Sequence, residues 1–382
     1  MRTPRILLLM GTSHGYGREL IDGITQYWYE VGYQVDFELR GHLESLPDWV
    51  QDWEGEGIIV RHHQPETFAM LEKKGIPFIR LNCPDHVSDV DVDEMAVGEM
   101  AVEHFQERGL KHFAFFTQCD HYWTRRRRDG FAQAVKKRGG VCHVLERYHE
   151  DAAPFPTWER SFQKRFLEWL HELPKPIGML VSYDFHARSV LEVCQSEGIA
   201  VPEEIAVLGI NNEKWFCRLQ NPPLSSLIQN SYKTGYETAR ILCNKIQGKE
   251  IPNFPVLFPP VGVCTRRSTD LIAVEDEDVA DTLRWIRREA CQGLTVERIV
   301  AEVGLSRRTL ERKFQQAFGR TMKEEIHRVR MERAKELLLE SRLPIGNVAR
   351  SLGFCSHAHF VHIFRQQTGL TPSEFLRQFR VG

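Results

Sequence analysis

The 382-residue sequence predicts an α/β body in two lobes followed by an all-α domain with two helix-turn-helix motifs. Three observations lead there. Through the first ~270 residues, short apolar runs alternate with amphipathic stretches of ~10–15 residues, the pattern of βαβ units around parallel sheets. A single core stops growing at ~250–300 residues, so this stretch divides into two lobes. Beyond Val279 the periodicity is helical almost to the end, and one unit occurs twice. Finally, the formal net charge of −2 averages two unlike parts. Residues 1–275 hold 31 Lys+Arg against 38 Asp+Glu; residues 276–382 hold 19 against 14, and 16 against 9 from Thr295 onward. An acidic body with a basic tail points to a polyanion at one end, chance segregation being the bland alternative.

The elements follow in order. Ile6–Met10 is an apolar run behind the basic Met1-Arg2-Thr3-Pro4-Arg5. It is too short for the ~7–15-residue core of a secretory signal and reads as the first buried strand of a cytoplasmic protein. Further strands are expected at Val35–Glu38, Gly57–Val60, Pro77–Leu81, His112–Phe116, Ile177–Ser182 and Ile205–Gly209. Helices are expected at Arg18–Tyr29, Glu66–Lys74, Asp93–Arg108, Thr124–Arg138, Ser161–His171, Asp184–Gln195 and Thr234–Gln247. Pro252–Pro260 is punctuated by prolines and cannot be helical. The acidic run Glu275-Asp276-Glu277-Asp278 marks the boundary, and it also suits a helix N-terminus, where carboxylates meet the positive end of the dipole. The expected division is a sensor at 1–272, an acidic linker at 273–283 and a DNA-binding domain at 284–382. Hydrophobic residues at 42% and charged residues at 27% exclude wholesale disorder. No apolar run approaches the ~20 residues that cross a bilayer, so no membrane partner is expected. The nine cysteines are scattered without a Cys-x-x-Cys pair and read as reduced thiols, neither a disulfide framework nor a zinc site.

The duplication is explicit. Val300-Ala301-Glu302-Val303-Gly304-Leu305 matches Ala349-Arg350-Ser351-Leu352-Gly353-Phe354 with the glycines 49 apart. Ser306, Leu310, Phe314, Gly319 and Thr321 match Ser356, Phe360, Phe364, Gly369 and Thr371, each 50 apart. The added residue falls in a turn, where insertions are tolerated. Each unit reads as helix-turn-helix, at about 295–316 and 344–367. A short helix ends at glycine, and a second opens at Ser306 or Ser356 as N-cap. An apolar i,i+4 pair pins the second helix to the core. In the first unit Arg308 and Arg312 point away from Leu310 and Phe314, with Arg307 beside them and Thr309 lateral. Two arginines one turn apart suit guanine edges and phosphates in a major groove. A solvated basic face would explain one such helix, but not the same unit twice. In the second unit Ala358 and His362 are outward and His359 lateral, with His357 and Arg365 on the same helix. These histidines read as facing DNA or solvent, and no metal is expected. Thr321-Met322-Lys323-Glu324 and Thr371-Pro372-Ser373-Glu374 match capping boxes, opening a long connecting helix and a short final one.

These residues carry a resemblance. Gly353-Phe354, Phe360, Phe364-Arg365, Gly369 and Thr371-Pro372-Ser373-Glu374-Phe375-Leu376-Arg377 resemble the signature of the AraC/XylS family of bacterial regulators. Arg330 and Ala334-Lys335-Glu336-Leu337-Leu338 fit its connecting helix. The resemblance implies two helix-turn-helix subdomains set by one rigid helix into successive major grooves of double-stranded DNA. Two departures stand out: Pro344 replaces the usual polar helix start, and the second reading helix offers histidines in place of arginines. Across the body, Asp93 through Gly98 to His104-Phe105, Arg127-x-x-Gly130-Phe131, Val181-Ser182-Tyr183-Asp184, Ile199 to Gly209 and Arg267-Ser268-Thr269 resemble, in order, the effector domains of the LacI/GalR family. That implies a two-lobed periplasmic-binding-protein-like sensor for a small-molecule effector, a monosaccharide such as xylose. No helix-turn-helix is expected ahead of the first strand.

In a two-lobed α/β domain the ligand lies beyond the strand C-termini. The candidates are Tyr16 and Arg18 after the first strand, Asp93 near the lobe crossover, Trp123 and Arg127 after His112–Phe116, Asp184 after Ile177–Ser182, and Asn211 after Ile205–Gly209. Carboxylates, arginine and asparagine make forked hydrogen bonds to vicinal hydroxyls, and Trp or Tyr covers an apolar ring face. The resemblance gives Asp93, Arg127, Asp184 and Asn211 this role, Asn211 standing where the family usually has aspartate. Blander readings are a helix cap for Asp184, core packing for Trp123, and a solvated Arg125–Arg128 run apart from an inward Arg127. One enzyme reading competes. Gly11-Thr12-Ser13-His14-Gly15 fits a nucleophile elbow on Ser13, yet only one strand precedes it and no Asp-then-His pair can be assigned. Gly15-Tyr16-Gly17-Arg18-Glu19-Leu20 lacks the third glycine of a dinucleotide fingerprint, and no cofactor is expected. The expectation is a sugar-responsive transcription activator, homodimeric, with RNA polymerase as a further partner. A repressor, or a sensor of another metabolite, is the alternative.

Overall fold

The computed structural model describes residues 5–379 apart from 13, 33, 40–47, 62–64, 84–87, 148–157, 254, 275 and 342. Lobe one is built on β1 (Arg5–Met10), β2 (Gln34–Leu39), β3 (Gly57–Arg61), β4 (Phe78–Leu81), β5 (Val90–Val92) and, much later in the chain, β11 (Val256–Phe258). Its strand order is β11-β5-β4-β3-β1-β2, parallel throughout. Lobe two holds β6 (His112–Thr117), β7 (Cys142–Glu146), β8 (Ile177–Val181), β9 (Ile205–Ile210), β10 (Ser225–Ile228) and β12 (Gly262–Cys264), in the order β12-β10-β9-β8-β6-β7. Only β12 runs antiparallel. The seven strands expected from apolar runs are present to within a residue. The five others are short or polar, and β11 lies inside the proline-punctuated stretch, where extended backbone suits both proline and strand.

The helices cover the sheet faces. In lobe one, α1 (Gly15–Val31) lies against α8 (Ser231–Ile246), with α2 (Pro65–Lys74) elsewhere on the lobe. In lobe two, α3 (Glu94–Gln106) packs on α4 (Tyr122–Lys137), followed by α5 (Arg160–Glu172), α6 (Asp184–Glu197) and α7 (Lys214–Leu219). Glycine sets both close helix pairs. A Cβ on Gly98 would overlap the Gly130 carbonyl, and one on Gly235 would overlap the Leu20 carbonyl. The chain passes between lobes three times: from β5 to α3, from β10 to α8, and from β11 to β12. The first and third crossovers are joined where Asp93 N donates to the Phe258 carbonyl at 2.9 Å.

The all-α domain comprises α9 (Glu277–Glu289), α10 (Val296–Val303), α11 (Arg307–Phe318), α12 (Met322–Glu340), α13 (Ile345–Ser351), α14 (His357–Thr368) and α15 (Pro372–Phe379). It has two cores. Leu283, Ile286, Ile299, Leu310 and Phe314 form one; Leu338, Val348, Leu352, Phe360 and Phe364 form the other. The helix α12 serves both, through Met322 and Ile326 at one end and Met331 and Leu338 at the other. Of the expected linker at 273–283, residues 277–283 lie in α9. Asp276 caps α9 by accepting from Asp278 N and Val279 N, and Lys313 of α11 binds Asp276 at 2.9 Å and Asp278 at 2.5 Å. Ile272 and Val274 already pack on the first helical core. Pro344 sits one position before the helix, in extended backbone at φ −57° and ψ 143°, rather than inside it.

Candidate effector crevice and nucleic-acid interface

The segments that follow the C-terminal ends of the parallel strands meet across the lobes, Gly15 and Arg18 with Glu213, His14 with Tyr183 and Asp91 with Arg126, and they supply the crevice. After β1 comes Tyr16, whose hydroxyl donates to Asn82 Oδ1 at 3.0 Å, while the Arg61 guanidinium at the end of β3 lies 5.0 Å from its ring centre. Asn82 Nδ2 donates to Asp91 Oδ1 at 2.8 Å, and the other Asp91 oxygen accepts from Arg126 of lobe two. This chain of polar groups closes one side. Glu213 closes the other: it accepts from Gly15 N at 2.6 Å and from Arg18 at 3.0 Å, both on lobe one, and from Trp215 Nε1 at 2.9 Å.

Between these closures the walls are aromatic. Tyr183 meets the edge of His14 at 5.1 Å and that of Trp123 at 6.4 Å, and stacks on Phe185 at 5.2 Å. Arg127 lies 5.2 Å from the Trp123 ring. It forks onto Glu94 at 2.9 and 2.8 Å and donates to the Ser182 carbonyl at 2.5 Å. Burial pushes the Glu94 carboxyl up, and Arg127 opposes that push. Burial likewise draws Arg61 down and Tyr183 up. Among the described residues, Arg61 Nε and the Tyr183 hydroxyl are buried without a partner. Such groups are costly unless something polar reaches them.

The structure brings Tyr16, Trp123 and Arg127 together in this crevice, with Arg18 at its mouth. It separates the other three candidates. Asp93 caps α3 by accepting from Ala96 N at 3.0 Å, and Asp91 takes the crevice position. Asp184 is fully buried, accepting from Ser226 Oγ at 2.6 Å and Glu213 N at 2.8 Å. It is the first residue of α6 rather than its cap, and it holds the 212–213 turn in place; burial pushes its carboxyl up to about 7. Asn211 adopts a left-handed φ of 98° and lines a cavity of about 80 Å³ at the crossovers. Glu19, Gln229, Asn230 and, from α12, Glu336 and Leu339 also line it. Both amide atoms of Gln229 and the Asn230 carbonyl are buried there without partners among the described residues.

Sequence reasoning missed Arg61, Asp91, Glu94, Tyr183 and Gln229. Position alone signalled Arg61 and Tyr183, since each directly follows an expected strand, Gly57–Val60 and Ile177–Ser182. Ser13, the competing nucleophile, lies outside the described residues.

The second candidate surface is on the all-α domain. Ser306 caps α11 by accepting from Thr309 N at 3.2 Å, and Ser356 caps α14 by accepting from His359 N at 3.1 Å. Gly304 and Gly353 end the preceding helices at φ 75° and 73°. The added residue of the second unit is Cys355, exposed in the turn. Leu310, Phe314, Phe360 and Phe364 are fully buried, which fixes the outward face of each reading helix. Ser306, Arg307, Arg308 and Arg312 are exposed and Thr309 half-buried, its hydroxyl 2.8 Å from Ser306 Oγ. Arg307 pairs with Glu297 at 2.9 Å; Arg308 and Arg312 have no ion-pair partner among the described residues. On α14, Ser356, His357, His359, His362 and Arg365 are exposed. Both capping boxes form, Thr321 with Glu324 and Thr371 with Glu374. Among the described residues no group of three His, Cys, Asp or Glu side chains could hold a metal ion, and no helix is long and apolar enough to cross a membrane.

Comparison with known proteins accords with both halves. Residues 102–269 match the periplasmic binding protein-like domain and residues 299–378 the helix-turn-helix domain. The xylose operon regulatory protein of Escherichia coli (strain K12) is 30% identical over 384 residues, covering 97% of this chain and 96% of its own. The protein of the same name from Haemophilus influenzae is 30% identical over 381 residues, covering 97% of each. The solved structure of the xylose-binding transcription activator xylR is similar at a TM-score of 0.62 and 28% identity, over 100% of this chain and 99% of that one. Both resemblances read from the sequence are borne out, and the chain belongs to the family of the xylose operon regulatory proteins: a DNA-binding transcription regulator, not an enzyme, with a periplasmic-binding-protein-like domain ahead of an AraC-type helix-turn-helix domain.

Proposed function

We propose that this chain is a sugar-responsive transcription activator whose effector is a pentose, xylose first among them. The observation that carries the reading is the pair of buried polar groups without partners among the described residues in the aromatic-walled crevice: Arg61 Nε and the Tyr183 hydroxyl. A monosaccharide offers donors and acceptors on every side and an apolar ring face for Trp123 or Tyr16. In this reading Arg61 and Tyr183 contact the sugar, Arg127 contacts it while held by Glu94, Asp184 and Asp93 shape the wall, and Asn211 lines the separate cavity at the crossovers with Gln229. The exposed residues of α11 and α14 read an operator, Arg308 and Arg312 supplying the strongest contacts. The chain acts in the cytoplasm as a homodimer, with residues 1–272 sensing and 284–382 binding DNA, and it recruits RNA polymerase.

A thermal-shift screen of pentoses and hexoses on the full chain tests the effector. A ligand at 100 times its Kd stabilises the native state by ~2.7 kcal/mol, which shows as a rise of several degrees. A response to xylose that Arg61→Ala and Tyr183→Phe weaken or abolish supports the reading. A response to none of the sugars overturns it.

A further inference from the structure

The helix α3 begins at the crevice and ends at the joint with the all-α domain. Glu94, its first residue, holds Arg127. Glu107, its C-cap, is nearly buried and receives Arg328 of α12 at 2.7 Å. The 13-residue helix that starts at Glu94 and is capped by Glu107 forms a rod of roughly 20 Å. From Arg328 the ion pairs continue. Arg328 forks onto Glu325 at 2.8 Å with both nitrogens, and Glu325, fully buried, also accepts from Arg320 at 2.6 Å. Arg320 follows the end of α11 and lies 5.4 Å from the Phe318 ring. One network thus runs from the crevice helix to the foot of the first reading helix.

The surroundings make Glu107 the critical member. Three guanidinium groups meet at the joint. Arg328 is one. Arg108 is buried, donating to the Thr269 carbonyl at 2.7 Å and the His104 carbonyl at 2.7 Å, and Arg287 donates to the Leu271 carbonyl at 2.6 Å. The acids that answer them are Glu107, Glu325, Glu332 and Asp270, and only Glu107 comes from the sensor's helix layer. Without Glu107, Arg328 keeps its fork onto Glu325 within α12 but loses its partner on α3, and the excess of positive charge at the joint is left less well answered. The same helix α12 meets the crossovers farther along. Its Lys335 lies against Gly262, and Glu336 and Leu339 wall the cavity that Gln229 lines. The final helix, α15, touches α8 of lobe one. The all-α domain therefore rests on both lobes, and the Glu107–Arg328 pair is its buried ionic hold on lobe two, beside the more exposed Arg287–Asp270 pair at 3.3 Å.

We propose that Glu107 and Arg328 are positioning residues for DNA recognition: their ion pair transmits the state of the effector crevice, through α3 and α12, to the first reading helix. This rests on the sugar-responsive reading above. The test measures the Kd of the full-length protein for a promoter fragment retained by the wild type, with and without saturating xylose. Allosteric coupling commonly gives a ratio of about five- to 150-fold between the two states. Glu107→Gln and Arg328→Gln are expected to bring that ratio below about twofold while leaving xylose affinity within about twofold of wild type. Glu107→Asp should restore much of the ratio. A merely structural role would weaken both states alike and leave the ratio unchanged, which would overturn the proposal. If the wild type itself does not respond to xylose, the effector reading fails, and hydrogen exchange decides the joint. Loss of amide protection over residues 320–340 in Glu107→Gln then supports the hold, and wild-type protection overturns it.

Discussion

Replacing Arg308 and Arg312 by alanine isolates the reading function from everything else the domain does. Both side chains are exposed, lie opposite the buried Leu310 and Phe314, and have no ion-pair partner among the described residues. Removing them breaks no ion pair or side-chain hydrogen bond among the described residues, and alanine favours the helix by a few tenths of a kcal/mol. The folded domain should be unchanged. On DNA the expectation differs: a forked arginine–guanine contact contributes about 1–3 kcal/mol, about five- to 150-fold in Kd for each residue. If one of the two binds a phosphate instead, its loss weakens all sequences alike and lowers the salt slope by about one. Fluorescence anisotropy on a promoter fragment retained by the wild type, between roughly 50 and 200 mM salt, separates the two cases. Arg307→Ala is the internal control, because Arg307 already pairs with Glu297 and should cost less. The assignment of α11 as a reading helix is refuted if the double variant binds that fragment within twofold of wild type at every salt concentration.

Three further outcomes follow from the sensor. Arg127→Met strands the buried Glu94 and should cost about 3–5 kcal/mol in urea unfolding of the sensor; adding Glu94→Gln should recover part of it, and equal losses in single and double variants would contradict a real pair. Burial holds Asp184 at about 7, above its unfolded 3.8, so the native state keeps a proton that the unfolded chain releases. That contribution is full below about pH 4 and is lost as pH rises through about 7, amounting to about 2–3 kcal/mol between pH 5 and 8. Asp184→Asn should flatten the profile over that range, and parallel profiles would count against the buried carboxyl. Gly98→Ala would drive a Cβ into the Gly130 carbonyl, so α3 and α4 must part; a fall of several degrees in Tm is expected, and an unchanged Tm would show that the pair is not tight.

The helical domain was legible because its signals are local. Caps at Ser306 and Ser356, glycines ending helices, and i,i+4 pairs such as Leu310/Phe314 each lie within a few residues of what they control, and the duplication stated them twice. The crevice was legible only as far as strand ends could be counted. In Asp89-Val90-Asp91-Val92-Asp93 the strand's alternation puts the three aspartates on one side, but the chain turns into α3 at Asp93 and spends that carboxylate on the cap, leaving Asp91 for the crevice. At Tyr183-Asp184 the polar residue looked like the ligand contact, whereas the helix start turns Asp184 inward onto Ser226 and leaves the Tyr183 hydroxyl unpartnered. Both differences have one cause: where a strand gives way to a helix, side-chain direction changes within one residue, and no period predicts the phase. Gln229 and the Glu107–Arg328 pair mark the further limit. The pair joins residues 221 apart in sequence, and each partner reads alone as an ordinary charged residue near a helix end. What makes them matter is burial shared between two domains, a property of the assembled joint that no window of sequence contains.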